Sequence, residues 1–117
     1  MSYENTLREE YLGKSVTVRM MDIADNSELD WTPAGEDGNA GNGTIVLTYD
    51  DKDDDPKTNV QSSLWFAVDD DNKIADLKIR VSISSAKEEV PDDPDPEKYW
   101  TAFDLYHARN FLNDMIR

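Results

Sequence analysis

Residues 59–84 read NVQSSLWFAV–DDDN–KIADLKIRVSIS, two apolar runs on either side of a short polar hinge. In the second run Leu77, Ile79, Val81 and Ile83 alternate with Lys78, Arg80 and Ser82. A period of two puts the first set on one face of a strand and the second set in water. NVQSSLWFAV at 59–68 has the composition of a partner strand, and Trp65, between Leu64 and Phe66, is expected in its core. Asp69–Asn72 is a tight turn, because Asp and Asn side chains bond their own backbone in such places. The stretch therefore predicts an antiparallel hairpin.

Upstream, TIVLTY at 44–49 reads as a third strand. SVTVRMMDI at 15–23, with Val16, Val18 and Met20 alternating, reads as a fourth. Residues 24–43 between them are rich in Gly, Asn and Asp and contain Trp31 and Pro33. They are expected to form a long loop, with Trp31 either a lid on the sheet or an exposed contact. GNAGNG at 38–43 lacks the strand-to-helix setting of a phosphate loop and reads as a flexible turn into TIVLTY.

Two helices complete the pattern. Residues 3–12 carry a capping Ser2, a face of Tyr3, Leu7 and Tyr11, and a terminating Gly13. Residues 96–116 are expected to form one long helix, opened by Asp95 as cap, Pro96 in the first turn and Glu97 at the positive end. Tyr99, Trp100, Phe103, Tyr106, His107 and Phe111 recur on it at three-to-four spacing, and Leu112, Met115 and Ile116 continue the apolar surface. The expectation is a single α+β domain over 1–117. It has an antiparallel sheet of about four strands, a short N-terminal helix and a longer C-terminal amphipathic helix.

Composition narrows the function. The chain has 117 residues and no cysteine, which removes a disulfide framework, a thiol nucleophile and any Cys-based zinc site and fits a reducing, cytoplasmic setting. No apolar run approaches the roughly 20 residues of a membrane span. MSYENTLREEY at the start has neither the basic opening nor the apolar run of a secretory signal. The net charge of −14 attracts cationic partners and repels nucleic acid and anionic membranes.

That charge is concentrated. Residues 50–55, 69–71 and 88–97 hold 14 of the 26 acids and one of the 12 bases. The remaining 98 residues carry 12 acids and 11 bases and are nearly neutral.

Catalytic chemistry finds little support. His107, the one histidine, sits in the aromatic helix and is expected to be packed and hydrogen-bonded. No serine or cysteine stands at a strand-to-helix elbow, and acids in wet turns stay ionised without the apolar pocket that general acid catalysis needs. The loop at Asp51, Asp53 and Asp55 has Pro56 and Ser62 where a calcium-binding helix–loop–helix needs Gly and Glu. Weak divalent-cation binding at 50–55 or 69–71 stays open. No cofactor is expected.

In extended chain, residues two apart face the same way, roughly 6.6 Å from one another. Asp51, Asp53 and Asp55 have that spacing, as do Asp69 and Asp71. A meander puts 50–55 and 88–97 at one end of the hairpin and 69–71 at the other, about 33 Å away along a ten-residue strand. Asp76 is a candidate link between these poles. Rigid carboxylates so placed would compete for the lysines and arginines that bind DNA phosphates.

With DDKDDD at 50–55, DDD at 69–71 and EEVPDDPDPE at 88–97, the chain resembles the small acidic bacterial DNA-mimic proteins, in particular the monomeric type that engages the histone-like nucleoid protein HU. The resemblance lies in size, charge layout and α+β character. It implies a monomer that occupies the DNA-binding surface of a basic protein, with no direct nucleic-acid or membrane binding. Asp50, Asp51, Asp53, Asp54, Asp55, Asp69, Asp70, Asp71, Glu88, Glu89, Asp92 and Asp93 would then serve as phosphate surrogates.

Other readings remain. In one, the acids are ordinary turn, cap and surface residues. An inhibitor or immunity protein against one nuclease would use the same electrostatics with aromatic anchors such as Trp31. A divalent-cation-binding domain and a salt-adapted protein are further alternatives.

Overall fold

The structure is a computed structural model that describes residues 2–16, 29–33, 41–51, 59–84 and 94–116, with the side chains of 29–33, 48–51, 59 and 84 left aside. In chain order the elements are helix α1 (Tyr3–Tyr11), strands β1 (Leu29–Pro33), β2 (Gly41–Asp51), β3 (Asn59–Val68) and β4 (Ile74–Ser84), a single 3₁₀ turn at Pro96–Lys98, and helix α2 (Ala102–Ile116). The strands lie side by side in that order, each antiparallel to its neighbour. The protein is thus α+β, with an antiparallel meander and a helix from each end of the chain.

Among the described residues, three of the four expected strands stand in the sheet. For 15–23 the described part is only an isolated bridge from Ser15 to Lys73, and residues 17–23 lie outside the described residues. The sheet instead gains the short edge strand β1 from the segment expected to be loop, where Trp31 pairs with Gly43 and Pro33 with Gly41. An edge tolerates a proline that has no N–H to donate.

GNG at 41–43 also belongs to a strand and not to a turn. Gly41 has a φ of +143°, a conformation open to glycine.

Alternation along the hairpin sorts the side chains as expected. Ile45, Leu64 and Ile79 form one cross-strand row on the helix-bearing face, and Gly43, Phe66 and Leu77 form the next. Lys78, Arg80 and Ser82 are exposed. A bulge opposite Ala67–Val68 lets both Ile74 and Leu77 turn inward although three residues apart, which strict alternation forbids.

Trp65 is not core. It pairs with Lys78 on the opposite face, half-buried, with Lys78 Nζ 5.4 Å and Arg80 Cζ 5.7 Å from its ring centre. Alternation already dictates this, since Leu64 and Phe66 both face the helices.

The C-terminal helix is shorter than its sequence suggests. Asp95 Oδ1 accepts from the Glu97 amide and caps the 3₁₀ turn, not an α-helix. The 3₁₀ turn ends at Tyr99, and α2 starts afresh behind a capping box. Thr101 Oγ1 accepts from the Asp104 amide at 3.4 Å, and Asp104 Oδ2 accepts from the Thr101 amide at 2.8 Å. Between the two elements Trp100 is buried and donates its indole N–H to the Arg80 carbonyl at 3.0 Å, pinning the link to β4.

The packed face of α2 also differs from expectation. Leu105, Ala108, Leu112 and Met115 are buried, three or four residues apart, against Leu64, Phe66 and Leu7. Phe103 and Tyr106, members of the aromatic series at three-to-four spacing, are each 61% exposed. Aromatic and aliphatic residues both recur at helical spacing here. The aliphatic stripe takes the core.

Helix α1 tiles the outer edge of β4. Glu4 Oε1 accepts from the Ile79 amide, Arg8 donates to the Leu77 carbonyl at 2.9 Å and pairs with Asp76, and the chain just past the helix exchanges bonds with Ile74. An edge so covered cannot recruit another strand.

Candidate functional site

The described part of the acidic array begins at the β3–β4 turn. Asp69 Oδ1 accepts from the amides of Asp71 at 3.0 Å and Lys73 at 2.9 Å, and Asn72 takes the left-handed conformation with φ +59°. The Asp69 amide and carbonyl close the turn with Lys73 and Asn72. Asp69 is therefore the residue that shapes the turn, while Asp70 and Asp71 are exposed at its tip. Two carboxylates sit on a backbone that their neighbour holds in place.

At the other end of the hairpin β2 runs out through Asp50, paired with Val60, and Asp51, paired with Asn59. Asn59 also pairs with Ser84, so the last residues of β2 and β4 flank the start of β3. The full ten residues of β3 separate this end from the Asp69–Asp71 turn, about 33 Å at strand rise. Asp53, Asp54, Asp55, Glu88, Glu89, Asp92 and Asp93 lie outside the described residues.

Several acids serve the fold. Asp76 does not bridge the two poles: it pairs with Arg8 and accepts from the Leu77 amide. Asp104 is buried at 2% exposure, where it accepts from Thr101 and from the Ser62 hydroxyl at 3.3 Å, joining α2 to β3.

Glu97 reaches across the chain to the start of α1. Its carboxylate accepts from the Tyr3 amide at 3.0 Å, the Glu4 amide at 3.1 Å and the Ser2 hydroxyl at 2.7 Å, while Ser2 Oγ itself accepts from Asn5. Burial opposes its ionisation. The Tyr3 amide, the Ser2 hydroxyl and the Glu4 amide more than offset that, and its carboxyl is held below the ordinary value. Sequence reasoning took Glu97 as a first-turn acid of its own helix; nothing in local spacing shows a cap offered to the other end of the chain.

His107 is half-buried on α2. The Phe103 ring stands T-shaped to it, with centres 4.4 Å apart, and Tyr106 stands 5.9 Å away. Beside it an open cleft of about 180 Å³ is lined by Ile45, Val46, Leu47, His107 and Phe111. Among the described residues no three His, Asp or Glu side chains converge as metal ligands. Among them, too, no helix is long and apolar enough to cross a membrane.

The outward aromatics of α2 are the surface feature that sequence reasoning missed. The signal was present in Leu105, Ala108, Leu112 and Met115, which form an unbroken stripe of their own and leave Phe103 and Tyr106 on the far side. Comparison of the chain with protein-family models, with curated proteins and with solved structures finds no match.

Proposed function

We propose that the chain occupies the DNA-binding surface of a basic DNA-binding protein of the nucleoid, HU-like class, with its carboxylates standing where DNA phosphates would. It acts as a cytoplasmic monomer, by competition alone, with no catalysis and no cofactor. The observation that carries this reading is the separation of acid clusters by the length of β3. The Asp69–Asp71 turn closes one end of β3, and Asp50 and Asp51 pair with its other end.

A ladder of backbone hydrogen bonds joins those ends, so the spacing is set by the sheet and not by a linker. About 33 Å corresponds to roughly nine or ten base-pair steps, a span that a DNA-binding groove covers. The acid clusters at 53–55 and 88–93 would extend the array.

The test is displacement. A fluorescent duplex is bound to purified HU-type protein, and the chain is titrated in at low salt. Release of the duplex is expected, with a steep loss of competition as salt rises, because the contacts replace counterions. If the duplex stays bound at low salt, or competition ignores ionic strength, the proposal is wrong.

A further inference from the structure

Helix α2 holds two large rings in water on a protein that has an aliphatic core to spare. Phe103 and Tyr106 are each 61% exposed, and Tyr99 just ahead of the helix is 37% exposed. At 100° per residue Phe103, Tyr106, His107, Asn110 and Asp114 share the outward side, opposite Leu105, Ala108, Leu112 and Met115. The cleft beside His107, lined also by Ile45, Val46, Leu47 and Phe111, adjoins this face. Contiguous exposed aromatics of this kind mark contact surfaces.

Charge selects the occupant. On this outward side of α2 stands one carboxylate, Asp114, while Arg109, three residues from Tyr106 at the flank, is already paired with Glu10, and Lys98 is exposed beside Tyr99. A second copy would bring another −14 against the first, and an anionic membrane or a nucleic acid is repelled for the same reason. Aromatic rings attract cations through their negative faces, and arginine does this best because its planar guanidinium also stacks. Phe103 and Tyr106 are both in T-shaped contact with His107, which joins the three rings into one patch.

We infer that the outward face of α2 receives arginine side chains of the basic partner. This rests on the function proposed above and assigns part of the contact to rings instead of carboxylates. It gives the complex a component that salt weakens little, and it makes the protein prefer arginine to lysine.

The experiment uses the full chain and two labelled peptides, decaarginine and decalysine, with binding followed by fluorescence anisotropy. The unmodified chain is expected to bind decaarginine more tightly than decalysine, because arginine stacks on rings better than lysine does. The F103A/Y106A variant should lose roughly fivefold to thirtyfold in decaarginine affinity, the scale of two exposed cation–π contacts, and less for decalysine, so that the preference disappears. Both residues are exposed, so the variant should fold; F103L/Y106L, which keeps apolar bulk without rings, should give the same result.

Equal affinities in the unmodified chain, or a preference that survives both variants, overturn the inference and leave the carboxylate proposal standing. Failure to bind either peptide overturns both. A dimer seen by sedimentation that either variant dissolves also overturns it, because the face would then belong to a second copy.

Discussion

Two regions use the same residue type to opposite ends. Along the α1–β4 edge, Glu4, Asp76 and Glu97 each accept hydrogen bonds from backbone amides, and Asp76 also pairs with Arg8. At the β3–β4 turn one acid, Asp69, does the same, while Asp70 and Asp71 stay exposed. The first region spends its charge on holding a helix to a sheet edge. The second uses one charge to hold two others out in water. A count of acids therefore overstates a binding surface until those committed to backbone groups are set aside, and burial with hydrogen bonding, not local acid density, separates the two kinds.

The sharpest way to break this division is to remove a committed acid. The largest effect is expected at Asp104, which is buried and serves both the α2 cap and the Ser62 hydroxyl. Asp104→Ala should cost about 2–3 kcal/mol in urea unfolding, since it strips a cap and strands the Thr101 amide and the Ser62 hydroxyl. A loss below about 0.5 kcal/mol would show that this acid is not structural.

Glu97 comes next and carries a pH signature. Its folded carboxyl titrates below its unfolded one, so between those values the unfolded chain binds more protons and stability rises with pH. The contribution is complete above the ordinary glutamate range and is lost as pH falls through the lowered folded value. Glu97→Gln should cost about 1 kcal/mol at neutral pH, in line with the loss of a helix cap. The gap between the two proteins should close on acidification. A gap that stays constant from neutral to acid pH would mean that the charge on Glu97 does nothing for α1.

Legibility in the sequence followed the range of the interaction. The β3–β4 hairpin was readable because period-two alternation and the Asp69 turn are local effects. Ile74 was not, because a bulge breaks the period beside the turn. Strand β1 was hidden by Pro33 and by loop-like composition on both sides; only pairing to β2 makes it a strand. On α2 the aromatic series and Leu112, Met115 and Ile116 read as one apolar surface, whereas the core takes the aliphatic set Leu105, Ala108, Leu112 and Met115 and leaves Phe103 and Tyr106 outside. The role of Glu97 depends on a partner 94 residues away, beyond any pattern of spacing. At the candidate site the Asp69–Asp71 turn was legible, while the structural use of Asp76 required the fold.

The smallest effect on stability should come from the acids that the fold leaves exposed, and there the comparison with Asp69 is cleanest. Asp70→Asn/Asp71→Asn removes two charges from exposed positions of the turn, so unfolding free energy should change by no more than about 0.5 kcal/mol. Asp69→Ala removes one charge from the same turn but leaves the Asp71 and Lys73 amides without their acceptor, and about 1 kcal/mol should be lost. Displacement of duplex from HU-type protein should rank the variants differently. The double variant, nearly silent in unfolding, should compete less well at low salt and show a shallower salt dependence by roughly two charges. If it competes as well as the unmodified chain, the exposed tip is solvated surface and the array must do without it. If instead it unfolds as readily as Asp69→Ala, the turn does not divide its acids into one that shapes and two that project, and the contrast with the α1–β4 edge disappears.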